Sequence, residues 1–253
     1  MVRELRFDIC ELAIATYLQA REAGVPITLL PVVMNGDGHH RSLSRRSDRA
    51  PLAPGDLAGR RVGVRAYSQT TGLWVRGLLR EEHGIEADQI TWVTTEGAHV
   101  AAYAEPAWVQ RAAGTIATLV AEDAVAAAVI GPRAFVAQGI TLEPVFDDPD
   151  AADEAWIARH QTIPVNHLVV ARTELVQTAP ALVGACYRAL CDGIVATAGQ
   201  RDNTAHGRAV HAGWTDELRA AIEIAGRLGL EQGLLQQSAD IEALEAETVS
   251  LEL

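Results

Sequence analysis

The stretch PLAPGDLAGRRVGVRAYSQTTGLWVRGLLREEHG, residues 51–84, decides the fold of this chain. Proline and glycine punctuate its first part, and the run RRVGV that follows is typical of a strand. The segment GLWVRGLLREEHG has the apolar spacing of a helix and ends at a glycine. We therefore expect a strand, a loop at residues 67–71 and a helix in succession, which marks the start of a new α/β lobe near residue 58.

Short β-branched runs alternate with helical patterns on both sides of this unit. The runs that predict strands are residues 7–12, 27–33, 60–65, 89–94, 124–131, 140–146 and 166–172. Most are continuously apolar, as expected for strands covered by helices on both faces, and their alternation with helices predicts an α/β fold with mostly parallel sheets. From residue 173 the pattern is wholly helical, which predicts a helical cover at the end of the chain.

Length and charge narrow the classes of function. The 253 residues are 49% hydrophobic, which is enough for one large domain or for two lobes. The formal net charge of −12 repels a phosphate backbone, and the basic residues are scattered along the chain. We therefore expect a small-molecule partner and no nucleic acid.

All basic side chains other than histidine are arginines, because the sequence contains no lysine. This excludes Schiff-base chemistry on a lysine and a Walker-type phosphate site. The three cysteines, Cys10, Cys186 and Cys191, form no CxxC pair and lie in apolar segments, so we expect neither disulfides nor a metal site from them.

The first residues, MVRELRFDICELAIATY, lack the order of a secretory signal, and no apolar run is expected to span a membrane. The expectation from these two observations is a cytoplasmic protein without membrane insertion, or a periplasmic or extracellular one if a signal segment is missing from this chain.

The loop at residues 67–71 is a candidate anion site. It lies between the predicted strand and the first turn of the following helix, where backbone N–H groups have no acceptor within the helix. Its polar side chains are those of Tyr67, Ser68, Gln69, Thr70 and Thr71. The alternative is an ordinary hydroxyl cap at the start of a helix.

A second polar cluster is GDGHHRSLSRRSD, residues 36–48. Adjacent side chains on an extended segment point to opposite faces, so His39 and His40 are poorly placed to share a metal ion, and no third ligand follows at a familiar spacing. We expect no metal site here. Arg41, supported by Ser42, is a candidate anion clamp, since a guanidinium matches a carboxylate with two parallel hydrogen bonds.

Four segments together resemble the 4,5-dihydroxyphthalate decarboxylase family. They are FDICELAIATYLQA (7–20), PLAPGDLAGRRVGVRAYSQTTGLWVRGLL (51–79), ITWVT (90–94) and EPVFDDPDAADEAWIARHQTIPVNHLVVARTEL (143–175). Members of that family are similar to type 2 periplasmic binding proteins. They usually carry a further strand and helix before the first of these segments; either this sequence starts internally or lobe one is reduced, and ligand contacts from that unit are not assigned.

The resemblance implies a two-lobed type 2 periplasmic-binding-protein-like fold. Lobe one would comprise residues 1–57 and 165–253 and would include the helical cover, and lobe two would comprise residues 58–164. A ligand would lie in the cleft between the lobes, facing Glu11, the HHRS stretch, the loop at 67–71, the strand end at Arg133 and the crossover residues Asn166 and His167.

The activity that the resemblance implies is decarboxylation of a hydroxylated aromatic acid without a cofactor. Such a reaction needs a proton donor for the ring carbon, a partner for the phenol and a clamp for the carboxylate. A histidine suits the first role because its ordinary pKa lies near the working pH. We assign His167 as the acid, with His40 as the second candidate, and Glu11 as the acceptor of the phenolic proton. Arg133 and Asn166 would add contacts to the substrate.

Two other functions remain open at this point. One is a solute-binding protein that delivers an aromatic carboxylate or a similar anion to an ABC transporter. The other is a different lyase on the same scaffold that would use Cys10 as a nucleophile, although Cys10 precedes Glu11 on a strand and should point to the opposite face. A homo-oligomer is compatible with each of these functions.

Overall fold

A computed structural model describes residues 2–130, 139–248 and 251 of the chain. The chain divides into two compact units. Unit 1 comprises Met1–Gly38, Trp156–Arg227 and Leu235–Leu253, and unit 2 comprises His39–Ala155 and Leu228–Leu234. Each unit combines a β-sheet with helices, and each is described by itself below.

The strands and helices of the described residues follow one another in a mixed order. The strands are β1 (Ile9–Ala13), β2 (Ile27–Gly36), β3 (Leu43–Arg46), β4 (Arg61–Val64), β5 (Thr91–Thr94), β6 (Val109–Arg111), β7 (Ala127–Val129), β8 (Leu142–Pro144), β9 (Val165–Arg172) and β10 (His211–Ala212). The helices are α1 (Ile14–Glu22), α2 (Thr70–His83), α3 (Ile116–Ala121), α4 (Pro149–His160), α5 (Thr173–Thr178), α6 (Pro180–Thr197), α7 (Ala205–Ala209), α8 (Asp216–Glu231) and α9 (Ile241–Ala246). Each strand predicted from the sequence overlaps an observed one.

The sheet of unit 1 has the strand order β1-β9-β2-β10. Its described pairs are all antiparallel, because β9 runs back between β1 and β2. This corrects the expectation of mostly parallel sheets for this unit. The continuous apolar run of β9 nevertheless fits the sequence argument, since Leu168, Val169, Val170 and Ala171 are all buried.

The sheet of unit 2 has the order β6-β5-β4-β7-β3-β8. The strand β4 pairs in parallel with β5 and β7, and β5 pairs in parallel with β6. The strand β3 pairs antiparallel with β7 and β8. Parallel pairing thus occurs where strand, helix and strand alternate along the chain, and the predicted mixed α/β fold is confirmed.

The boundaries of the units differ from the predicted lobes. The first boundary lies between Gly38 and His39 rather than after residue 57, and the second lies between Ala155 and Trp156 rather than after residue 164. The reason is β3, which the sequence did not predict and which pairs with two strands of unit 2. Residues Leu228–Leu234 also belong to unit 2, so the helical end of the chain contributes to both units.

The helix α6 covers the sheet of unit 1 with one face only. Val183 and Tyr187 pack against Val32 and Val169 of the sheet. With the 3-10 turn that follows it, the helix spans Pro180–Gln200 and is 21 residues long. Its most apolar 18-residue window has a mean hydropathy of 1.3, and 17% of that window is buried. By length and composition it could cross a membrane, which corrects the expectation that no run reaches that length. A cover helix of a folded unit has the same properties.

Candidate functional site

His167 and Glu11 form a hydrogen-bonded pair on the sheet of unit 1. Glu11 lies on β1 and His167 on β9, and the register aligns Glu11 with Val169 and Ala13 with His167. Residues two positions apart on a strand share a face, so the two side chains are diagonal neighbours across the antiparallel pair. His167 donates a hydrogen bond from Nδ1 to Oε1 of Glu11. The structure therefore brings together two of the predicted catalytic residues.

The pair is accessible to solvent. The side chain of His167 is 41% exposed and that of Glu11 is 48% exposed. An ion pair at this exposure contributes little to the stability of a fold, because water screens it. Among the described residues no second hydrogen-bond partner of His167 is found, and its Nε2 atom is available to a ligand. An oriented imidazole with one free nitrogen is the arrangement required of a general acid or base.

Asn166 lies beside His167 on β9 but on the other face of the strand. Its Nδ2 atom donates to Oδ1 of Asn35 over 3.4 Å. The β2–β9 pairing is irregular around Asn35, with a register shift on each side of it. The predicted contact of Asn166 with a substrate remains a prediction.

His40 is buried in unit 2 between two carboxylates. Its Nδ1 atom lies 2.5 Å from Oδ1 of Asp153, and its Nε2 atom lies 3.0 Å from Oε2 of Glu82. The backbone N–H of His40 also donates to Oδ1 of Asp153 over 3.2 Å. Burial disfavours the charged imidazolium, but the hydrogen bonds to Asp153 and Glu82 outweigh it and raise the pKa of His40 to about 9.

This geometry argues against the predicted catalytic role of His40. The residue is 0% exposed and both of its ring nitrogens are engaged, so no atom of the ring is left for a substrate. The ring of Phe146 packs edge-on against it with the centroids 4.8 Å apart. His40 instead joins the short 3-10 helix at His40–Ser42 to α2 and α4 as a protonated group between two acids.

Arg41 lies on the surface of unit 2, where it forms an ion pair with Asp150 in the first turn of α4. The side chains of the two residues are 47% and 79% exposed. A substrate carboxylate would have to compete with Asp150 for the guanidinium. Ser42 follows Arg41 directly, and its carbonyl oxygen accepts a hydrogen bond from the backbone of Ile130 over 2.7 Å. Arg133 lies outside the described residues.

The predicted anion loop lies at the start of α2. Tyr67 and Ser68 are 0% exposed, and Thr70, the first residue of the helix, is 5% exposed. Gln69 is the N-cap residue, but its side chain makes no capping hydrogen bond and its buried Oε1 atom has no partner. The loop therefore leaves the first-turn N–H groups of α2 without a cap from the Gln69 side chain.

The hydroxyl of Tyr67 is engaged by the protein itself. It donates to the carbonyl oxygen of Gln232 over 2.9 Å and accepts from Nε1 of Trp108 over 2.9 Å. Burial raises the pKa of Tyr67 above its ordinary value. The hydroxyl proton of Tyr67 is therefore not available to a ligand, and the predicted contact of Tyr67 with a substrate remains a prediction.

Sequence reasoning missed Arg76, which is buried beneath this loop. The side chain is 2% exposed, and among the described residues it has no carboxylate partner. Its Nε atom donates to Oε1 of Gln232 over 2.6 Å, and its Nη2 atom donates to the carbonyl oxygen of Tyr67 over 2.8 Å. Its position inside the apolar run LWVRGLL was the available signal, because a charged residue in such a run is either exposed by helical periodicity or buried for a reason.

The side chains that commonly bind metal ions do not cluster in the described part of the chain. Among residues 2–130, 139–248 and 251, no group of three or more histidine, cysteine, aspartate or glutamate side chains is arranged to hold a metal ion. Cys10 is half-buried on β1 and its side chain lies on the face opposite that of Glu11.

Two curated relatives match the sequence, and no protein-family model does. One is a 4,5-dihydroxyphthalate decarboxylase of Comamonas testosteroni, 32% identical over 206 residues, which cover 74% of this chain and 60% of the relative. The other is a 4,5-dihydroxyphthalate decarboxylase of Pseudomonas putida, 39% identical over 92 residues, which cover 36% of each chain. The chain thus spans less than two thirds of the length of the relatives it matches.

Solved structures match the fold at low sequence identity. The desulfurization enzyme DSZB has a TM-score of 0.61 at 18% identity, covering 96% of this chain and 85% of its own. A putative periplasmic sulfonate-binding protein of an ABC transporter from Methylobacillus flagellatus has a TM-score of 0.58 at 12% identity, covering 98% and 77%. The expected resemblance is confirmed: the sequence is similar to 4,5-dihydroxyphthalate decarboxylases, and the fold is periplasmic-binding-protein-like.

Proposed function

We propose that this chain decarboxylates a hydroxylated aromatic carboxylic acid of the 4,5-dihydroxyphthalate type. The observation that carries the proposal is the exposed pair of His167 and Glu11, in a chain whose curated relatives bear that activity in their names. The substrate would be a small aromatic acid with at least one hydroxyl group para to the carboxylate that leaves.

The chemistry requires a proton at the ring carbon that bears this carboxylate. The para hydroxyl supplies electron density to that carbon, and the Nε2–H of protonated His167 delivers the proton. The carbon–carbon bond then breaks, its electron pair returns to the ring and restores aromaticity, and carbon dioxide leaves. The mechanism uses no organic cofactor, because the ring itself accepts the electron pair of the broken bond.

Glu11 supports this step by holding His167. Its carboxylate accepts the hydrogen bond of Nδ1, which orients the ring and leaves Nε2 as the reactive atom. This favours Glu11 as the partner of His167 over its predicted role as acceptor of the phenolic proton.

The test is turnover by the purified chain. Incubation with 4,5-dihydroxyphthalate is expected to release carbon dioxide and one dihydroxybenzoate, in amounts that match, with or without a metal chelator. The variant His167→Ala should abolish release while calorimetry still detects binding. Release at the wild-type rate by His167→Ala would overturn the assigned role, and absence of turnover with every hydroxylated benzoate and phthalate would overturn the activity.

Binding without turnover is the outcome that would favour a solute-binding protein for an aromatic carboxylate. The fold supports this second candidate, since a sulfonate-binding protein of a transporter shares it. The enzyme would act in the cytoplasm, whereas the binding protein would act in the periplasm or outside the cell. Gel filtration of the same sample tests whether the chain forms a homo-oligomer.

A further inference from the structure

Arg76 is the most unusual charged residue of unit 2. Its guanidinium is fully buried on α2, it packs over the ring of Tyr67 at 4.0 Å from the centroid, and it lies 5.2 Å from the ring of Trp92. The charge of an arginine persists inside a protein. Burial of a charge without an opposite charge is costly.

The hydrogen bonds of Arg76 leave part of the guanidinium unused. Nε and Nη2 donate to Gln232 and to the carbonyl oxygen of Tyr67, whereas the buried Nη1 atom has no partner. Nη1 points back along α2, because a Cβ atom placed on Gly72 would lie 3.0 Å from it. The free donor therefore lies beside the first turn of the helix.

Two sources of positive potential coincide at this turn. The first is the N-terminus of α2, a helix of 14 residues, where the N–H groups of Thr71 and Gly72 have no acceptor within the helix. The second is the buried guanidinium of Arg76. Tyr67 and Tyr103 are the titratable neighbours closest to it, and both are neutral at pH 7, since burial raises the pKa of each. No charge of the described residues compensates Arg76.

We propose that a carboxylate of the ligand binds at the first turn of α2 and is the missing counter-charge of Arg76. The proposal rests on the proposed function and names the place where the acid group is held. Arg76 is 2% exposed, so it acts through the backbone N–H groups of the turn and does not touch the ligand. It is a positioning residue, and Tyr67 serves the same end by fixing the loop that Arg76 holds through its carbonyl oxygen.

If Arg76 had a purely structural role, its replacement would affect ligand binding in a different way. The bonds to Gln232 and Tyr67 fix the loop and the segment Leu228–Leu234, and Gln232 in turn donates to the carbonyl oxygen of Leu73 over 2.9 Å. Loss of that network would weaken every ligand of the site to the same extent. Loss of the charge would weaken only anionic ligands.

The experiment compares charged and uncharged ligands. Calorimetry measures the affinity of wild type, Arg76→Met, Arg76→Lys and Arg80→Met for 4,5-dihydroxyphthalate and for catechol, which lacks carboxylates. Arg76→Met should lower the affinity for the dianion by about tenfold or more, because a full charge is lost close to the site. It should lower the affinity for catechol by less than about twofold. Arg76→Lys should retain most of the affinity for the dianion.

Arg80→Met is the matched control, since Arg80 lies one turn further along α2 and is paired with Glu86 and Glu231 on the surface. It should leave both affinities unchanged. Equal weakening of both ligands by Arg76→Met and Arg76→Lys would overturn the proposal in favour of a structural role, and unchanged affinity for the dianion would overturn it as well. If Arg76→Met does not fold, the ratio of the two affinities in Arg76→Lys decides.

A second measurement separates this proposal from the proposed function. At constant ionic strength, sulfate should raise the unfolding temperature of the wild type and of Arg80→Met, but not that of Arg76→Met or of a sample saturated with 4,5-dihydroxyphthalate. If the wild type shows the sulfate effect but no decarboxylation, the anion site is supported and the proposed function is contradicted. Absence of the sulfate effect in the wild type counts against the anion site.

Discussion

His167 on β9 donates a hydrogen bond to Glu11 on β1, two residues that lie 156 positions apart in the chain. The antiparallel register alone sets them on one face of the sheet, as diagonal neighbours. Neither side chain is needed to fill a core, because both are about half exposed. A pair built from long-range strand pairing and left accessible has the properties of a reactive group.

Replacing Glu11 tests how this pair works. Glu11→Gln keeps the size of the side chain and an acceptor oxygen but removes the negative charge, so the hydrogen bond that orients the imidazole is weakened. We expect the rate of carbon dioxide release to fall by about 10- to 100-fold, with a smaller change in substrate affinity. Glu4→Gln, which removes an exposed carboxylate paired with Arg6, is the control. An unchanged rate in Glu11→Gln would show that His167 acts alone or not at all.

The clamp role of Arg41 gives a second prediction. If Arg41 leaves Asp150 to hold a substrate carboxylate, Arg41→Gln should weaken the binding of 4,5-dihydroxyphthalate by more than about tenfold. Arg49→Gln is matched to it, since Arg49 is also a surface arginine paired with an aspartate, Asp123. Equal affinities of Arg41→Gln and the wild type in calorimetry would leave Arg41 as a surface ion pair and no more.

The third prediction concerns the pH dependence of stability. The pKa of His40 in the folded chain, about 9, lies above its ordinary value of 6.5. Protonated His40 therefore makes its full contribution to the free energy of unfolding below pH 6.5, and this contribution is lost as the pH rises through 9. His40→Gln should therefore lower the free energy of unfolding by about 3 kcal/mol at pH 6, and by progressively less towards pH 10.

Urea unfolding of both proteins between pH 6 and pH 10 measures this effect. His206→Gln removes an exposed histidine and should shift the free energy by less than about 0.5 kcal/mol at every pH. A difference between wild type and His40→Gln that stays constant across the range would mean that His40 is neutral in the fold, and that its contribution is packing alone.

The fourth prediction uses two glycines within helices. Replacing a helical glycine by alanine normally stabilises by up to about 1 kcal/mol. At Gly77 of α2, however, the added Cβ atom would lie 2.6 Å from Cδ1 of Leu228, so Gly77→Ala should destabilise by about 1–3 kcal/mol. At Gly193 of α6 nothing lies within 4 Å, and Gly193→Ala should stabilise. Thermal unfolding measures both, and partial recovery in Gly77→Ala combined with Leu228→Ala would identify the contact responsible.

The strands of the core were predictable because each is a continuous apolar run between more polar segments. The strand β3 was not, because Arg45 and Arg46 resemble a solvated connection. Both are largely buried, at 13% and 15% side-chain exposure, and each has a carboxylate partner, Glu143 and Asp48 respectively. Pairing between distant residues allowed a charged segment to form a strand, and local sequence carries no record of such a pairing.

The candidate site was predictable only in part, because its geometry also depends on pairing between distant residues. The resemblance to a family singled out Glu11 and His167, but the register that makes them neighbours is a property of the folded sheet. His40 was judged by its residue type, and only its two carboxylate partners reveal a buried imidazolium. Arg76 was missed because helical periodicity predicts which face of α2 is buried, but it does not predict that a charged residue lies on that face.

The position of β9 between β1 and β2 also sets the order in which the molecule is built. During synthesis, β1 and β2 emerge early, but the strand that lies between them is β9. This strand leaves the ribosome only after nearly all of unit 2. The sheet of unit 1, and with it the contact between Glu11 and His167, is therefore among the last parts to form. A nascent chain carries the loop at residues 67–71 before it carries His167, so premature termination before β9 yields fragments without the pair of Glu11 and His167.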